Sequence, residues 1–198
     1  MPVSVPAWFF ELLREEQLSA EQVEKLYAHY ELLDRWNRKM NLTTVQSGPE
    51  TVKRHYLESL FFAQHIPGEF QTLADIGSGA GFPGVPIAVL KPDCLVTLVE
   101  SNQRKAVFLK ESTRGLTNIA VAAQRAEELQ SSFEWIVARA VDPNEVVRLV
   151  PKLAPKIGLM LGEDDYNRLK SSPHIAWAEP VRLPWGDRRV CAFGNCST

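Results

Sequence analysis

The sequence predicts an α/β protein in which a helical N-terminal segment precedes a mostly parallel β-sheet. From about residue 70, short apolar runs alternate with helical stretches, as they do when helices connect parallel strands. Before that point, apolar residues recur at helical spacing. The change occurs at 73–87, where an apolar strand passes through a glycine-rich loop into a helix. We therefore expect a helical extension over 1–66 and a sheet domain over 67–198.

Local signals define the helices of the extension. Ser19 and Gln22 have the spacing of a capping box, and an apolar stripe at helical steps follows them. The stripe consists of Val23, Leu26, Tyr30, Leu33, Asn37 and Met40. Within it, Asn37 is expected to be a buried amide that bridges backbone groups, and Asn41 is expected to end the helix. A third helix after Gly48-Pro49 is predicted to bury Val52, Tyr56, Leu60 and Ala63.

The sheet domain is predicted to contain parallel strands followed by a hairpin. The parallel strands cover 71–76, 95–100, 119–123, 134–138 and 157–161. The helices between and after them begin near 84 and cover 102–115, 143–150 and 163–170. Two last runs, near 174–183 and 188–194, are joined across Pro184-Trp185-Gly186-Asp187. This pattern is typical of a hairpin and places an antiparallel strand at the end of the sheet.

The composition is that of an ordinary globular protein. Of its 198 residues, 45% are hydrophobic and 23% are charged, and the net charge of −2 means that a nucleic-acid partner needs a local basic patch. The three cysteines are scattered and lack zinc-site spacing, so we expect reduced thiols, no metal site and a cytoplasmic protein. Neither a long apolar run nor a basic, then apolar, N-terminus is present in this sequence. Membrane insertion and secretion are therefore not expected.

The glycine-rich loop predicts a nucleoside site. Its first three glycines are Gly77, Gly79 and Gly81, whereas a dinucleotide fingerprint needs glycine at the position that Phe82 holds. The prolines at 83 and 86 also lack the N–H groups that bind phosphate at a helix N-terminus. These features disfavour a nicotinamide oxidoreductase. They favour S-adenosylmethionine as cofactor, because that nucleoside carries no phosphate.

Ligands meet the carboxyl ends of parallel strands, and this rule selects the other candidate site residues. Around the first strand they are Asp75, Gly77, Ser78, Gly79, Gly81 and Phe82. Glu100 ends the second strand at a spacing suited to ribose hydroxyls. After the third strand, Ala126 leaves room for an adenine ring whose edge Glu127 can bind, although Glu127 also suits a helix N-terminus. Arg139 ends the fourth strand and needs an anion, either an internal carboxylate or a ligand.

Two basic clusters are predicted to bind phosphate. The first comprises Arg35, Arg38, Lys39, Lys53 and Arg54, with His55 as a further donor. The second comprises Arg104, Lys105, Lys110, Arg114 and Arg125. One polyanion can span both clusters if they face the same way. The alternative for the first cluster is a solvated face with an ion pair between Arg54 and Glu58.

Six segments, in order, closely resemble the bacterial small-subunit ribosomal RNA guanine-N7 methyltransferases, also called glucose-inhibited division protein B. They are 36–43, 54–59, 75–86, 98–101, 104–109 and 138–140. The resemblance extends from about residue 19 to 162, with a weaker similarity at 187–190. Six motifs in register are far more specific than a glycine-rich loop alone.

The resemblance implies a cytoplasmic enzyme with a Rossmann-like S-adenosylmethionine-dependent methyltransferase domain behind a helical extension. It implies methylation of one guanine at N7 in small-subunit ribosomal RNA, either as naked RNA or in the assembled subunit. We expect a monomer. By the resemblance, cofactor contacts fall on Gly77, Phe82, Ala126, Glu127 and Arg139, with Glu100 at the ribose.

The expected reaction needs no general base. Guanine N7 presents a free lone pair in the major groove, so it can attack a methyl sulfonium without first losing a proton. Catalysis is then expected to come from the alignment of N7, the methyl carbon and sulfur. Arg139 is the one candidate for a direct role, and we expect it to grip the cofactor's carboxylate or an RNA phosphate.

Some residues depart from the family pattern. The family usually has lysine where Leu161 stands, and the acidic run 163–165 follows. Ala80 for proline and Glu58 for aspartate are mild changes. The C-terminal hairpin, with Arg188-Arg189 instead of Arg-His, is also atypical. Two alternatives remain open. One is a methyltransferase that acts on a small molecule or a protein, which would share the cofactor loop but not need the basic clusters; the other, given Leu161, is a catalytically silent RNA-binding relative.

Overall fold

The computed structural model describes residues 4–44, 48–171, 173–186 and 188–196. The extension begins with helix α1 (Ala7–Leu13) and a 3₁₀ turn (Arg14–Glu16), and helix α2 (Ala20–Met40) follows. Ser19 and Gln22 form the predicted capping box at the start of α2. Asn37 Oδ1 accepts a hydrogen bond from the Thr43 N–H at 2.8 Å, and Asn41 ends the helix with a φ of 49°. The predicted role of Asn41 is confirmed. Asn37 binds a backbone group as predicted, but its side chain is half-buried rather than buried.

The third predicted helix is continuous but contains a wider turn. It runs through α3 (Pro49–Thr51), a π-helical segment (Val52–Leu57) and α4 (Glu58–His65). Its predicted packing face is confirmed, because Val52, Tyr56, Leu60 and Ala63 are all fully buried. The sequence pattern did not predict the π-helical segment.

Among the residues that the structure describes, the sheet has eight strands. Their order is β3-β2-β1-β4-β5-β8-β6, and β7 also pairs with β8. The strands are β1 (Thr72–Ile76), β2 (Leu95–Val99), β3 (Ile119–Ala122), β4 (Trp135–Arg139), β5 (Lys156–Gly162), β6 (Ile175–Trp177), β7 (Val181–Arg182) and β8 (Arg189–Cys196). The first five are parallel, and β8 is antiparallel to β5. The predicted fold class, an α/β protein with a mostly parallel sheet and an antiparallel C-terminal strand, is confirmed.

The C-terminal hairpin differs from the prediction in strand placement. Its second run, β8, pairs with β5, so β8 lies inside the sheet and the short β6 becomes the edge strand. The first run is divided into β6 and β7, with Pro180 between them. Asp187, part of the predicted connection, lies outside the described residues.

Two hydrophobic cores lie on opposite faces of the sheet. The connecting helices are α5 (Gly84–Leu90), α6 (Gln103–Ser112), α7 (Pro143–Leu153) and α8 (Glu163–Leu169). Neighbouring residues of one strand join different cores, as β-strand alternation requires: Leu73 packs with the N-terminal helices and α5, and Ala74 packs with α7. The helical extension and the sheet therefore share one core. Within the described ranges, none of the helices combines the length and apolar character needed to cross a bilayer.

Candidate functional site

The glycine-rich loop lies at the carboxyl edge of the sheet, between β1 and α5. Gly77, Gly79 and Gly81 have φ angles of 68°, 57° and 94°, a region that favours glycine. The N–H groups of Gly77 and Ser78 donate to the carbonyl of Val99 at 2.9 and 3.0 Å. The loop is thus fixed against the end of β2, and Gly77 remains exposed.

Asp75 holds the two ends of this loop together. Its Oδ2 accepts the N–H of Gly84, at the start of α5, at 3.0 Å, and its carbonyl accepts the Ser78 hydroxyl at 2.8 Å. A Cβ on Gly84 would lie 2.7 Å from Oδ2, so the contact requires glycine there. Burial raises the pKa of Asp75 to about 7. Because Asp75 is fully buried, the structure supports a positioning role for this side chain rather than the direct cofactor contact that the sequence suggested.

Glu100 lies beside the loop, as its spacing predicted. It directly follows β2, and its Oε2 accepts the Gly79 N–H at 3.0 Å. Its Oε1 accepts the N–H of Asn102, the residue that caps α6, at 2.7 Å. Each carboxylate oxygen has a second lone pair, so Glu100 retains the capacity to accept hydroxyl hydrogen bonds while it fixes the loop.

The segment after β3 reaches the same edge of the sheet. The N–H of Glu100 donates to the carbonyl of Ala122, the last residue of β3, at 3.0 Å. A 3₁₀ turn (Ala126–Glu128) follows, in which Ala126 is buried and Glu127 is exposed. The carbonyl of Glu127 accepts a hydrogen bond from the Lys152 ammonium. Both predicted residues therefore lie past the end of β3, with the Glu127 carboxylate directed at solvent.

Arg139, at the end of β4, is bound to an internal carboxylate. Its Nη2 lies 2.9 Å from Glu58 Oε2 and donates to the carbonyl of Arg54 at 2.7 Å. The other oxygen of Glu58 contacts Arg189 at 2.7 Å. The Arg139 side chain is 11% exposed. Burial lowers the pKa of Arg139 to about 10, so it remains a cation at neutral pH.

The ion pair between Arg54 and Glu58, which was the alternative to phosphate binding by the first cluster, is not formed. Arg54 pairs with Glu50 instead, at 3.0 Å. Glu58 lies on the buried side of α4, where its carboxylate pairs with Arg139 and Arg189. A pair with Arg54, one helical turn earlier, would require the carboxylate to face solvent instead.

Phe82 packs into an aromatic and imidazole cluster under the loop. Its ring stacks on His55 with centroids 4.8 Å apart and meets Tyr56 and His29 edge to face. His29 and Tyr56 share a hydrogen bond of 2.7 Å. The Phe82 side chain therefore anchors the loop to the helical extension, and any cofactor contact by this residue must come from its backbone.

His55 does not add positive charge to the basic surface. Burial lowers the pKa of His55 to about 3, with a further contribution from Arg139. The sequence predicted His55 as a further donor to phosphate. In the structure its Nδ1 is buried and its Nε2 contacts the Thr43 hydroxyl at 2.7 Å, so neither ring nitrogen is available to a phosphate. His29, which the sequence analysis missed, lies three residues after Leu26 and four before Leu33, the spacing of the buried stripe. That spacing was the available signal.

The sequence profile of the rRNA small subunit methyltransferase G family matches residues 22–163. The chain belongs to this family. It is 42% identical over 150 residues to the ribosomal RNA small subunit methyltransferase G of Xylella fastidiosa (strain M23), covering 73% of this chain and 70% of that protein. It is 40% identical over 146 residues to the protein of the same name from Xanthomonas campestris pv. campestris (strain B100), covering 72% and 68%.

Solved structures of other methyltransferases share the fold of this member of the methyltransferase G family. The N-methyltransferase NodS from Bradyrhizobium japonicum, in complex with S-adenosyl-L-homocysteine, matches with a TM-score of 0.60 at 16% identity, over 86% of this chain and all (100%) of that chain. The ribosomal protein L11 methylase from Lactobacillus delbrueckii subsp. bulgaricus matches with a TM-score of 0.56 at 16% identity, over 70% and 77%. At such identities, the likeness establishes the fold alone.

In this family member, parts of the two predicted basic clusters lie on adjacent helices: Arg35, Arg38 and Lys39 on α2, and Arg104, Lys105 and Lys110 on α6. Trp36 of α2 and Phe108 of α6 pack with ring centroids 5.6 Å apart, which brings the two helices together. A shallow cavity of about 270 Å³ beside Trp36 is lined by Arg35, Lys39 and Met40. Several predicted cations pair locally: Arg38 with Asp34, Arg54 with Glu50, and Arg114 with Glu111. Lys39, Lys53, Arg104 and Arg125 are exposed, and Lys105 is half-buried.

The departures from the family pattern have local explanations. Leu161 is only 8% exposed and packs in the core under α7 and α8. Two residues of the acidic run that follows are paired with arginines of the C-terminal hairpin: Glu163 with Arg182 at 3.0 Å and Asp164 with Arg188 at 2.6 Å. The apolar residue at 161 thus completes a core, and the negative charges next to it are largely compensated. Across the described ranges, no three histidine, cysteine or acidic side chains are grouped as metal ligands.

Proposed function

We propose that this protein transfers a methyl group from S-adenosylmethionine to N7 of a guanine in small-subunit ribosomal RNA. The observation that carries the proposal is the meeting of the glycine loop, Glu100 and Arg139 at one edge of the sheet, beside basic helices. The relatives that share most of its length are named ribosomal RNA small subunit methyltransferase G. The target guanine can be presented either by the free RNA or by the assembled subunit. In both cases we propose ribosomal RNA as the partner.

The site residues fit a phosphate-free nucleoside with an amino acid end. A Cβ on Gly77 would lie 2.6 Å from Cγ2 of Val141, so this position accepts only glycine. The exposed backbone of the loop at Gly77 is therefore open to a ligand. Glu100 has capacity for the ribose hydroxyls, and Ala126 with the backbone of Glu127 borders the space proposed for adenine. Nη1 of Arg139 is buried and has no partner among the described residues. That unpaired donor suits a carboxylate. When bound, the cofactor supplies an electrophilic methyl group.

The residues of this chain act by positioning rather than by proton transfer. Guanine N7 already presents a lone pair, so no side chain has to remove a proton before attack. The fixed loop and the buried cluster under Phe82 hold the cofactor edge rigid, which favours alignment of the reacting atoms. Glu58 compensates the charge of Arg139, so the edge carries less repulsion toward the positive charge that develops on the methylated base.

The exposed cations of α2, the π-helical segment and α6 are proposed to contact RNA phosphates. They are Arg38, Lys39, Lys53, Arg54 and Arg104, together with the half-buried Lys105 of α6 and the exposed Arg125, which precedes the 3₁₀ turn after β3. Since the overall charge of the chain is −2, this local surface has to supply the electrostatic attraction to RNA.

The test is a transfer assay with S-adenosylmethionine labelled in its methyl group. The purified protein is incubated separately with small ribosomal subunits, naked small-subunit RNA and bulk protein, each from cells that lack this gene. We expect label in the RNA of one or both ribosomal samples, at a single guanine N7. Label in protein alone, or tight RNA binding without any transfer, would contradict the proposed function and support the two alternatives respectively.

A further inference from the structure

A second cavity adjoins the candidate site on the side of the C-terminal hairpin. Its volume is about 490 Å³, and it lies between the π-helical segment with the start of α4 and the turn before β8. The side chains that matter for its chemistry are Lys53, Arg54, Leu57, Trp185 and Arg189. Neither the glycine loop nor Glu100 lines it, so it is separate from the space proposed for the cofactor.

Trp185 forms an aromatic wall of this cavity. The residue is 48% exposed, which is unusual for a tryptophan. Phe61 supports it edge to face, with ring centroids 5.7 Å apart. The turn is tight, because a Cβ on Gly186 would lie 3.1 Å from Leu183 and 3.3 Å from Arg189. The exposed ring is therefore held in place.

Cations surround this wall. Lys53 is exposed and has no ion pair among the described residues. Arg54 lines the cavity but pairs with Glu50, and Arg189 pairs with Glu58. Glu50 and Glu58 are the acidic groups that line the cavity. Because Glu58 also balances Arg139, the positive charges outnumber the negative ones.

We infer that this cavity binds one nucleotide of the RNA substrate, with its base stacked on Trp185 and its phosphate held by Lys53 and Arg54. This inference rests on the proposed function and specifies where the RNA enters. An exposed aromatic face beside cations is the chemistry that recognises an unpaired nucleotide. Glu58 contacts both Arg189 in the cavity and Arg139 at the end of β4. Glu58 thus links the proposed nucleotide site to the end of β4, where the proposed cofactor site begins.

The test compares Trp185→Ala with Trp185→Phe and with Leu95→Ala. Leu95 is an exposed apolar residue at the start of β2, at the amino end of the parallel strands and therefore away from the candidate site. A fluorescent pentauridylate is the binding probe, and small-subunit RNA is the substrate in methyl transfer. We expect Trp185→Ala to weaken pentauridylate binding and raise the KM for RNA by roughly tenfold. Trp185→Phe should retain most of the binding, and Leu95→Ala should match the wild type.

A second variant tests the phosphate contact. Lys53→Gln is expected to lower the dependence of pentauridylate affinity on salt by roughly one counterion. Lys170→Gln, at the exposed residue that directly follows α8, is expected to leave it unchanged. Affinity for S-adenosylmethionine should be unchanged in all variants.

Wild-type pentauridylate affinity and KM in Trp185→Ala would overturn the inference, as would an equal loss in Leu95→Ala. If the wild-type protein transfers no methyl group to RNA but Trp185→Ala still loses pentauridylate binding, the proposed function fails and the nucleotide site stands.

Discussion

Glu58 Oε2 lies 2.9 Å from Nη2 of Arg139, and both side chains are largely buried. The pair joins α4 of the helical extension to the end of β4, where the candidate cofactor edge begins. Arg139 was expected to find an anion, and it finds one supplied by a distant part of the chain. The helical extension therefore contributes to the site directly, through Glu58 and the rings under Phe82.

Removing the charge of Glu58 should destabilise the protein. In Glu58→Gln, Arg139 and Arg189 lose their shared carboxylate while Arg139 remains buried. An uncompensated buried charge typically costs about 3 kcal/mol or more. Urea unfolding measures the loss. The control is Glu50→Gln, which breaks the exposed pair with Arg54 and should cost less than about 1 kcal/mol. Similar losses in the two variants would contradict the account of the buried pair.

Arg139→Ala should weaken the cofactor interaction. The loss of a charge-assisted hydrogen bond predicts a roughly tenfold or greater fall in affinity for S-adenosylmethionine, measured by calorimetry. The double variant Arg139→Ala, Glu58→Ala removes both charges and controls for strain from an unpaired carboxylate. Restored affinity in the double variant would mean that Arg139 acts only on the structure, and unchanged affinity and turnover in Arg139→Ala would refute its proposed role.

Asp75→Asn should change how stability depends on pH. Burial raises the pKa of Asp75 from 3.8 to about 7. Between these values the native state keeps a proton that the unfolded chain releases, so the carboxyl's contribution to stability is full at low pH and is lost as pH rises through the native pKa. The amide in Asp75→Asn does not titrate, so its contribution to stability does not fall as pH rises.

The free energy of unfolding of Asp75→Asn relative to the wild type should therefore rise with pH, by about 4 kcal/mol in total across the window between the two pKa values. Urea unfolding at a series of pH values measures the difference. The buried histidines titrate in both proteins and cancel. Parallel stability curves for the two proteins would show that Asp75 has an ordinary pKa.

Reversing charge on α6 should affect RNA and not the cofactor. Arg104→Glu removes one exposed cation and adds an anion, so RNA affinity should fall, most strongly at low salt, and the salt dependence should decrease by roughly one to two counterions. Lys39→Glu on α2 should behave in the same way. Filter binding at several salt concentrations measures both. An equal fall in affinity for S-adenosylmethionine would instead indicate misfolding.

Local sequence signals predicted the parts of the fold that local interactions determine. The capping box at Ser19, the stop at Asn41, the glycine loop and the parallel strands all depend on residues close together in the chain. The partner of Glu58 could not be predicted in this way, since helical spacing offers Arg54 while the observed partners, Arg139 and Arg189, come from distant strands. Glycine spacing likewise locates the loop but does not tell which way the Phe82 ring points.

The pairing of β8 with β5 could not be predicted for the same reason, because β5 and β8 are distant in the chain. A hairpin pattern predicts two antiparallel strands but not which of them meets the preceding sheet. The best signal in the sequence was the run of apolar residues in β8, such as Val190 and Phe193, which are buried in the structure. A strand buried on both faces belongs inside a sheet rather than at its edge.

The most direct measurement maps N7-methylguanine in small-subunit ribosomal RNA from cells with and without this gene. The account predicts one N7-methylated guanine in the presence of the gene, its absence in the deletion strain, and its return when the wild-type gene is restored. An identical N7-methylguanine pattern in the two strains would contradict the proposal that this protein methylates ribosomal RNA.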